Sequence, residues 1–429
     1  MPPTFPTRDA APSSRSLPPT SQTHLSHVGL VLAGGSARGA YEVGVVRYVL
    51  EEVSRALGRT VPIDIFSGTS AGSINAIMLA ARADEPVRRG QLLADQWTQL
   101  QVDDVVRPAP AEILTLVGRL LGRAPRSSSG RRGAFFDPAG IQRIVRSGVK
   151  PGAITEHIRA GRLTAISIST THVASGKTVV FFQRRASGTL RWSHDPTMVA
   201  RPALITAEHA LASAAVPLAF PAVQIDGDFY CDGGLRQNVP LSPARRLGAD
   251  GFIVVNPRYI REEEPEPALA IEREQIYPDP FFIAGKAMNA LLLDRIENDI
   301  RRLEKLNAVI AAGERRYGPT FGAAINEELG RAGESAMRPI EVVYIRASAD
   351  IGVMAADYVR SATFAKRVRG LLGRALRRIG EAETEADLLS YVLFDGPFAG
   401  ALAEIGWSDA KAQHDALVTF FAKRVERAT

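Results

Sequence analysis

The pentapeptide Gly68-Thr69-Ser70-Ala71-Gly72 separates two stretches of very different composition. The residues before it, Val61 to Ser67, are mostly apolar and include β-branched side chains, as is typical of a buried parallel strand. The residues after it, Ser73 to Ala83, are mostly small or helix-favouring. A glycine-flanked serine between a strand and a helix is the layout of a nucleophile elbow, where Gly68 and Gly72 permit a tight turn. The pattern therefore predicts an α/β protein with Ser70 as its nucleophile.

Composition narrows the class of protein further. The chain has 429 residues, 45% of them hydrophobic and 23% charged, which is typical of globular proteins and enough for one large α/β unit or several domains. Its formal net charge is +6, modest for this length. We find no dense Lys/Arg block with interleaved aromatic residues, so nucleic acid is not a predicted partner. Weak attraction to an anionic membrane surface, as a peripheral contact, stays open.

The ends and the cysteine content bear on location. Residues 1–26 are rich in Pro, Ser and Thr and are predicted to be a disordered leader. We see no apolar h-region there and no apolar run long enough for a transmembrane helix. The single cysteine, Cys231, fits a reducing compartment and is expected to be a small strand residue with no nucleophilic role. We expect a cytoplasmic protein, and export by a non-Sec route stays open.

A second glycine-rich turn follows the first predicted strand, Val28 to Leu32, and precedes a helix predicted from Tyr41 to Leu57. The spacing matches neither a P-loop nor a GxGxxG dinucleotide site. Backbone N–H groups at this helix N-terminus would instead hold an anion such as an oxyanion. Arg38 either supports that anion or pins the loop through a salt bridge. The predicted donors are the N–H groups of Gly34, Gly35 and Ser36.

Residues 111–123 form an apolar segment with arginines at its C-terminal end, followed by a Ser/Gly/Arg-rich loop to residue 133. One interpretation is a lid or a lipid-contacting element. The other is a core helix with a surface loop.

Periodicity predicts the remaining elements: helices at 86–101, 207–215 and 280–312, strands at 163–170, 177–183, 222–225, 229–232, 251–256 and 339–345, and an all-helical tail from 355 onward.

Asp232 ends a short predicted strand and is followed by Gly233 and Gly234. Simple turn chemistry would explain this pattern. The alternative is that Asp232 takes the proton of Ser70. The usual hydrolase order of Ser, acid and His is improbable because His414, deep in the tail, is the only histidine after Asp232. His209 lies within a small-residue helix and is expected to be a satisfied, partly buried histidine. A carboxylate base would need desolvation and strong oxyanion stabilisation.

Three motifs occur in order: Gly34-Gly35-Ser36-Ala37-Arg38-Gly39, the elbow around Ser70, and Asp232-Gly233-Gly234. Together they resemble the patatin-like phospholipase family over roughly residues 28–255. Other stretches also fit this resemblance: Ala212 to Pro217, Phe220-Pro221, Asn238-Val239-Pro240 and Gly248 to Asp250.

The resemblance implies a three-layer α/β/α sandwich with a mostly parallel central sheet. It also implies hydrolysis of phospholipid or lysophospholipid acyl esters by a metal-free dyad of Ser70 and Asp232, with no cofactor. The family often has glycine where this chain has Ser36. If that position needs a positive φ, serine strains it by roughly 1–2 kcal/mol.

We expect an acyl hydrolase domain over residues 27–348 and a C-terminal helical extension over residues 349–429. The extension either covers an edge of the core or dimerises. Two other functions stay open: a general carboxylesterase or acyltransferase on smaller lipids, and a lipid-binding scaffold with vestigial chemistry. Head group, acyl length and oligomeric state are not encoded in any motif.

Overall fold

The computed structural model describes residues 27–107, 134–185, 192, 196–260, 280–292, 296–332, 337, 339–382 and 386–426. The predicted leader, 1–26, and the predicted lid segment, 111–133, lie outside these residues.

The described strands form one nine-stranded sheet, ordered β5-β4-β3-β2-β1-β8-β9, with β7 paired to β3 and β6 paired to β7. Five neighbours, β3-β2-β1-β8-β9, are mutually parallel, whereas β4 and β7 run antiparallel to β3. The sheet is therefore mostly parallel, as predicted. The strands are β1 (Val28–Leu32), β2 (Ile65–Thr69), β3 (Ala165–His172), β4 (Thr178–Arg184), β5 (Met198–Pro202), β6 (Val223–Ile225), β7 (Asp228–Asp232), β8 (Gly251–Asn256) and β9 (Glu341–Arg346).

Helices cover both faces of this sheet. Leu30 of β1 and Ile253 of β8 point into a large core on one face. Their neighbours Val31 and Val254 point into a second core on the other face. Alternating burial on both sides is what a parallel sheet between two helical layers requires. The predicted three-layer α/β/α sandwich is confirmed.

The helices occupy both layers and the C-terminal region. They are α1 (Gly39–Tyr48), α2 (Ala71–Ala80), α3 (Arg88–Thr98), α4 (Val102–Val105), α5 (Ala139–Gly148), α6 (Ala153–Arg159), α7 (Ala207–Ser213), α8 (Leu241–Arg246), α9 (Pro280–Leu292), α10 (Ile296–Tyr317), α11 (Phe321–Arg331), α12 (Ile351–Arg360), α13 (Ala362–Arg367), α14 (Gly370–Ala382), α15 (Asp387–Val392), α16 (Gly396–Ala412) and α17 (His414–Glu426). Helix α1 continues through a π-helical turn, Val49–Val53, into a short α segment, Ser54–Ala56. No helix within the described ranges has both the length and the apolar composition needed to cross a bilayer.

The predicted strand before the elbow begins later than expected, at Ile65 instead of Val61. Val61 gives its N–H to the Ser54 side chain at 3.2 Å, and Pro62 has no N–H to give. The strand also extends through Thr69, so the elbow serine follows it directly.

The C-terminal helices are part of the main core. Phe398, Leu402 and Phe420 are buried in the same cluster as the side chains of α1. The Tyr41 hydroxyl in α1 donates to Asp409 Oδ2 in α16 at 2.9 Å. This arrangement covers the α1 side of the fold, one of the two roles left open for the extension.

Candidate active site

Ser70 occupies the turn between β2 and α2 with φ +53° and ψ −125°. A side chain at either flanking glycine would collide with backbone, because a Cβ on Gly68 would lie 2.3 Å from the Gly72 oxygen and one on Gly72 would lie 2.4 Å from the Leu32 oxygen. The strained serine is thus compatible only with glycine at these two positions. The turn also places Ser70 at the N-terminus of α2, where negative charge is favoured.

Two other serines satisfy the backbone of this turn. The Ser70 N–H donates to Ser213 Oγ at 2.8 Å, and Ser213 Oγ donates to the Ser169 carbonyl oxygen at 2.6 Å. Ser73 Oγ donates to the Ser70 carbonyl oxygen at 2.6 Å. Ser213 had no role in the sequence-based site. The only signal for it was its place in the stretch between Ala212 and Pro217.

The structure brings Ser70 and Asp232 into direct contact. Ser70 Oγ donates to Asp232 Oδ2 at 2.6 Å, and both residues are buried. Asp232 is fixed at the end of β7, because its N–H donates to the Ala215 oxygen at 2.9 Å and its carbonyl accepts from Thr171 Oγ1 at 2.8 Å. The nucleophile and the carboxylate are therefore held by separate, rigid elements of one sheet.

Burial raises the pKa of Asp232 to about 6, against its ordinary value of 3.8. Hydrogen bonds from Ser70 and from the Gly234 N–H, which donates to Oδ1 at 2.7 Å, act in the opposite direction and limit that rise in pKa. Gly233 begins the 3-10 turn that presents the Gly234 N–H. A carboxyl group with this pKa can take a proton near neutral pH.

No described histidine bonds to Ser70 or Asp232. His209 is buried and its Nδ1 accepts from the Thr206 N–H at 3.2 Å. Burial lowers the pKa of His209 to about 4, so its imidazole is neutral at ordinary pH. His414 Nδ1 pairs with the Tyr48 hydroxyl at 2.9 Å. The other described histidines have partners of their own: His27 with Asp64, His157 with the Ala81 oxygen, and His172 with Ser175.

The glycine-rich loop lies directly against the elbow. A Cβ on Gly34 would lie 3.1 Å from Ser70 Cβ and 2.1 Å from Asn238 Oδ1, so only glycine fits there. The Gly34 N–H donates to the Asn238 carbonyl oxygen at 3.1 Å, which corrects its predicted role as a free oxyanion donor. Among the described residues, the N–H groups of Gly35 and Ser36 have no acceptor.

Ser36 has φ +53°, in the left-handed region. The departure from glycine therefore carries the backbone strain expected for a serine with positive φ. The Ser36 hydroxyl donates to the Tyr391 carbonyl oxygen at 2.7 Å, which ties this residue to α15.

Arg38 also points to α15. Its Nη2 donates to Asp387 Oδ1 at 3.0 Å and its Nε donates to Ser390 Oγ at 2.7 Å. Of the two roles considered from sequence, these contacts correspond to the salt bridge that pins the loop. Both hydrogen bonds of the guanidinium direct it to α15 and away from Ser70.

Cys231 lies beside the site but faces away from this chemistry. Burial raises the pKa of its thiol to about 11, with the neighbouring Asp232 charge adding to the effect, so the thiol stays protonated. The described histidine, cysteine and acidic side chains contain no group of three or more arranged to hold a metal ion.

Comparison with known proteins gives the family. A family model described as patatin-like phospholipase matches residues 30–245, half of the chain, and this range includes Ser70, Asp232 and the glycine-rich loop. The chain therefore belongs to the patatin-like phospholipase family.

Curated relatives match over a short segment. Lysophospholipase nte1 of Aspergillus terreus is 49% identical over 57 residues, which is 13% of this chain and 3% of that protein. A patatin-like phospholipase domain-containing protein of Caenorhabditis elegans is 45% identical over 60 residues, 14% of this chain and 4% of that protein. The aligned segments thus span only a few per cent of the length of these relatives.

Two solved structures show a weak overall likeness. VipD from Legionella pneumophila superposes with a TM-score of 0.30 at 12% identity, covering 91% of this chain and 67% of VipD. The complex of SpcU with ExoU from Pseudomonas aeruginosa gives a TM-score of 0.24 at 17% identity, covering 86% of this chain and 70% of that chain.

Proposed function

We propose that this protein is a serine acyl hydrolase that cleaves acyl esters of phospholipids or lysophospholipids through a dyad of Ser70 and Asp232. The observation that carries the proposal is the 2.6 Å hydrogen bond from Ser70 Oγ to the buried carboxylate of Asp232. The lipid class of the substrate comes from membership of the patatin-like phospholipase family and from curated relatives named lysophospholipase.

In the first step Asp232 Oδ2 takes the proton of Ser70 as Oγ bonds to the ester carbonyl carbon. The carbonyl π electrons move to oxygen, and the N–H groups of Gly35 and Ser36 stabilise the oxyanion. Each such donor is worth roughly 2.7–4 kcal/mol of transition-state stabilisation. Collapse of this intermediate breaks the ester C–O bond, and the leaving alcohol takes the proton from Asp232. The acyl group remains on Ser70.

The second step removes the acyl group. Asp232 takes a proton from water, the hydroxide oxygen bonds to the acyl carbon, and a second oxyanion forms at the same donors. Its collapse expels Ser70 Oγ, which regains the proton from Asp232, and releases a fatty acid. Because Asp232 is the base in both steps, a pKa near 6 lets it accept and return a proton at neutral pH.

The test uses Ser70→Ala beside Ser147→Ala, a change at an exposed serine of α5. A fluorophosphonate probe should label wild type and Ser147→Ala but not Ser70→Ala. Turnover of lysophosphatidylcholine and of a short-chain ester should follow the same pattern, with all three proteins giving matching melting curves. Turnover by a folded Ser70→Ala variant would contradict the proposed dyad mechanism. A wild type that neither reacts with the probe nor turns over ester would favour the scaffold interpretation.

A further inference from the structure

Arg38 of the glycine-rich loop is anchored on a residue 349 positions away in the chain. The guanidinium is buried, pairs with buried Asp387, bonds to Ser390 and lies 4.2 Å from the centroid of the Tyr391 ring. A buried arginine needs this degree of pairing, because an unpaired charge would be strongly destabilising. Asp387, Ser390 and Tyr391 all belong to α15, one short helix of the C-terminal extension.

The same helix holds the strained residue of the loop. Ser36 Oγ donates to the Tyr391 carbonyl oxygen at 2.7 Å, while its backbone has φ +53°. A left-handed conformation is strained for a serine and persists only when its surroundings over-determine it. Contacts from α15 to both Ser36 and Arg38 restrain the peptide units that carry the proposed oxyanion donors.

Asp387 also links α15 and the glycine-rich loop to helix α9. Lys286 of α9 donates to Asp387 Oδ2 at 2.6 Å, so two cations share one buried carboxylate. Burial alone would raise the pKa of Asp387, but Arg38 and Lys286 outweigh it and hold that pKa below its usual value. The carboxylate is therefore charged, and Asp387 can anchor Arg38 as an ion pair.

We propose that Asp387 is a positioning residue for ester hydrolysis, acting through Arg38 to hold the N–H groups of Gly35 and Ser36 toward the oxyanion. This inference rests on the proposed function. It makes the C-terminal extension a working part of the active site in addition to a cover for the core. Because the donors act on charge that develops in the transition state, loss of Asp387 lowers kcat and leaves KM little changed.

The test compares Asp387→Asn with Asp395→Asn. Asp395 is a second buried acid of the C-terminal region, and its carboxylate pairs with Arg367 at 3.0 Å and with the Tyr358 hydroxyl. Within the described part of the chain, its carboxylate makes no hydrogen bond to the glycine-rich loop. We expect Asp387→Asn to lower kcat on a soluble ester about tenfold to a hundredfold. This fall in kcat is no larger than the fall expected when one oxyanion donor is removed. Asp395→Asn should lower the melting temperature similarly while its kcat stays at the wild-type level.

A double-mutant cycle shows whether the effect passes through Arg38. When Asp387→Asn is combined with Arg38→Ala, kcat should fall by less than a further factor of about two relative to Arg38→Ala alone. The proposal is overturned if Asp387→Asn leaves kcat unchanged, if it alters only KM, or if the two losses multiply. Should Asp387→Asn fail to fold, Ser390→Ala is the second variant. It removes the acceptor of Arg38 Nε together with the local bond from Ser390 Oγ to the Asp387 carbonyl oxygen, keeps the Arg38–Asp387 ion pair, and is expected to lower kcat to a smaller degree. An unchanged kcat in folded Ser390→Ala would then overturn the proposal.

Failure of the proposed function gives a different result from failure of the positioning role. If the proposed function is wrong, wild type and Ser70→Ala behave alike on ester and fluorophosphonate. Failure of the positioning role instead requires an active wild type, an inactive Ser70→Ala and an unaffected Asp387→Asn. The rate of Ser70 labelling by the fluorophosphonate gives a second readout of the same donors and is expected to fall with kcat.

Discussion

Gly34 and Asn238 are joined by two hydrogen bonds, although 204 residues separate them in the chain. The Gly34 N–H donates to the Asn238 carbonyl oxygen at 3.1 Å, and Asn238 Nδ2 donates to the Gly34 carbonyl oxygen at 3.1 Å. Asn238 thus fixes the start of the glycine-rich loop against Ser70. Contacts from Ser36 and Arg38 to α15 fix its other end, so the loop is held from both sides.

Asn238→Ala should reduce both hydrolysis and stability. Removing Nδ2 leaves the buried Gly34 carbonyl oxygen without that donor, at a cost of about 1–3 kcal/mol in the free energy of unfolding. Release of this end of the loop should lower kcat about tenfold or more, since the N–H of Gly35 would lose its direction. Urea unfolding and ester turnover measure the two effects.

Asn307→Ala is the matched control. Asn307 lies in a different part of the fold, and its side chain also bonds the backbone of one distant residue. Nδ2 donates to the Ile340 oxygen at 2.5 Å, and Oδ1 accepts from the Ile340 N–H at 2.9 Å, so alanine here removes two side-chain bonds where Asn238→Ala removes one. We expect a similar loss of stability with normal kcat. If both variants lose turnover equally, the effect of Asn238 is general destabilisation and the loop argument is wrong.

Position 36 should prefer glycine to alanine. At φ +53° alanine keeps the backbone strain and loses the hydroxyl contact to Tyr391, whereas glycine loses only the contact. Ser36→Gly should therefore be more stable than Ser36→Ala by about 1 kcal/mol, measured by urea unfolding. At Ser408, exposed inside α16, the order should reverse, because glycine destabilises a helix interior relative to alanine. If alanine is more stable than glycine at both positions, Ser36 is not strained.

Glu42 in α1 makes the stability of the protein depend on pH. Its carboxyl group is fully buried and receives Asn75 Nδ2 at 2.9 Å; burial raises its pKa well above 4.5, although the Asn75 bond lowers it. A raised folded-state pKa gives stability that is present below pH 4.5 and lost as the pH rises through the folded value. Glu42→Gln has no proton to lose, so its stability relative to wild type should increase with pH.

Chemical denaturation at several pH values measures this difference, which should grow by up to about 1.4 kcal/mol per pH unit until Glu42 ionises in the fold. Glu304→Gln changes an exposed glutamate of α10 and serves as the control. Parallel pH profiles for wild type and Glu42→Gln would mean that Glu42 is not the titrating group.

Local patterns predicted the parts of the site that lie within one turn of chain. The elbow around Ser70 and the end of β7 at Asp232 depend on glycines and strand signals within a few residues, so the sequence indicates them directly. Contacts between distant segments have no such signal. The pairing of Arg38 with Asp387 depends on how α15 packs, and for that reason two roles for Arg38 stayed open. The use of the Gly34 N–H by Asn238 was missed for the same reason.

The predicted starts of elements were less accurate where the backbone had an alternative partner. Residues 61–64 have strand-like composition, but the Val61 N–H bonds to a serine side chain and Pro62 cannot join a ladder. Helices were easier to predict, because apolar spacing extends over several turns. The long apolar pattern of residues 280–312 appears as α9 and α10.

Asp232→Asn separates catalysis from stability most sharply. Asparagine can still accept the Gly234 N–H and donate to Ser70 Oγ, so the fold should be kept. It cannot take a full proton, so turnover should fall by orders of magnitude. Because the pKa of Asp232 is raised to about 6, its charge lowers the stability of the fold as the pH rises through that value. Asp232→Asn should therefore match or exceed wild type in melting temperature at neutral pH.

The wild-type pH profile gives the second half of this prediction. Asp232 must be ionised to accept the proton of Ser70, so kcat/KM should rise with pH through a single limb near pH 6 and fall away below it. His209→Ala and His414→Ala should keep that limb, since His209 is bonded to Thr206 and His414 to Tyr48. If either folded histidine variant is as inactive as Asp232→Asn, a histidine shares the role of base and the dyad must be replaced by a triad.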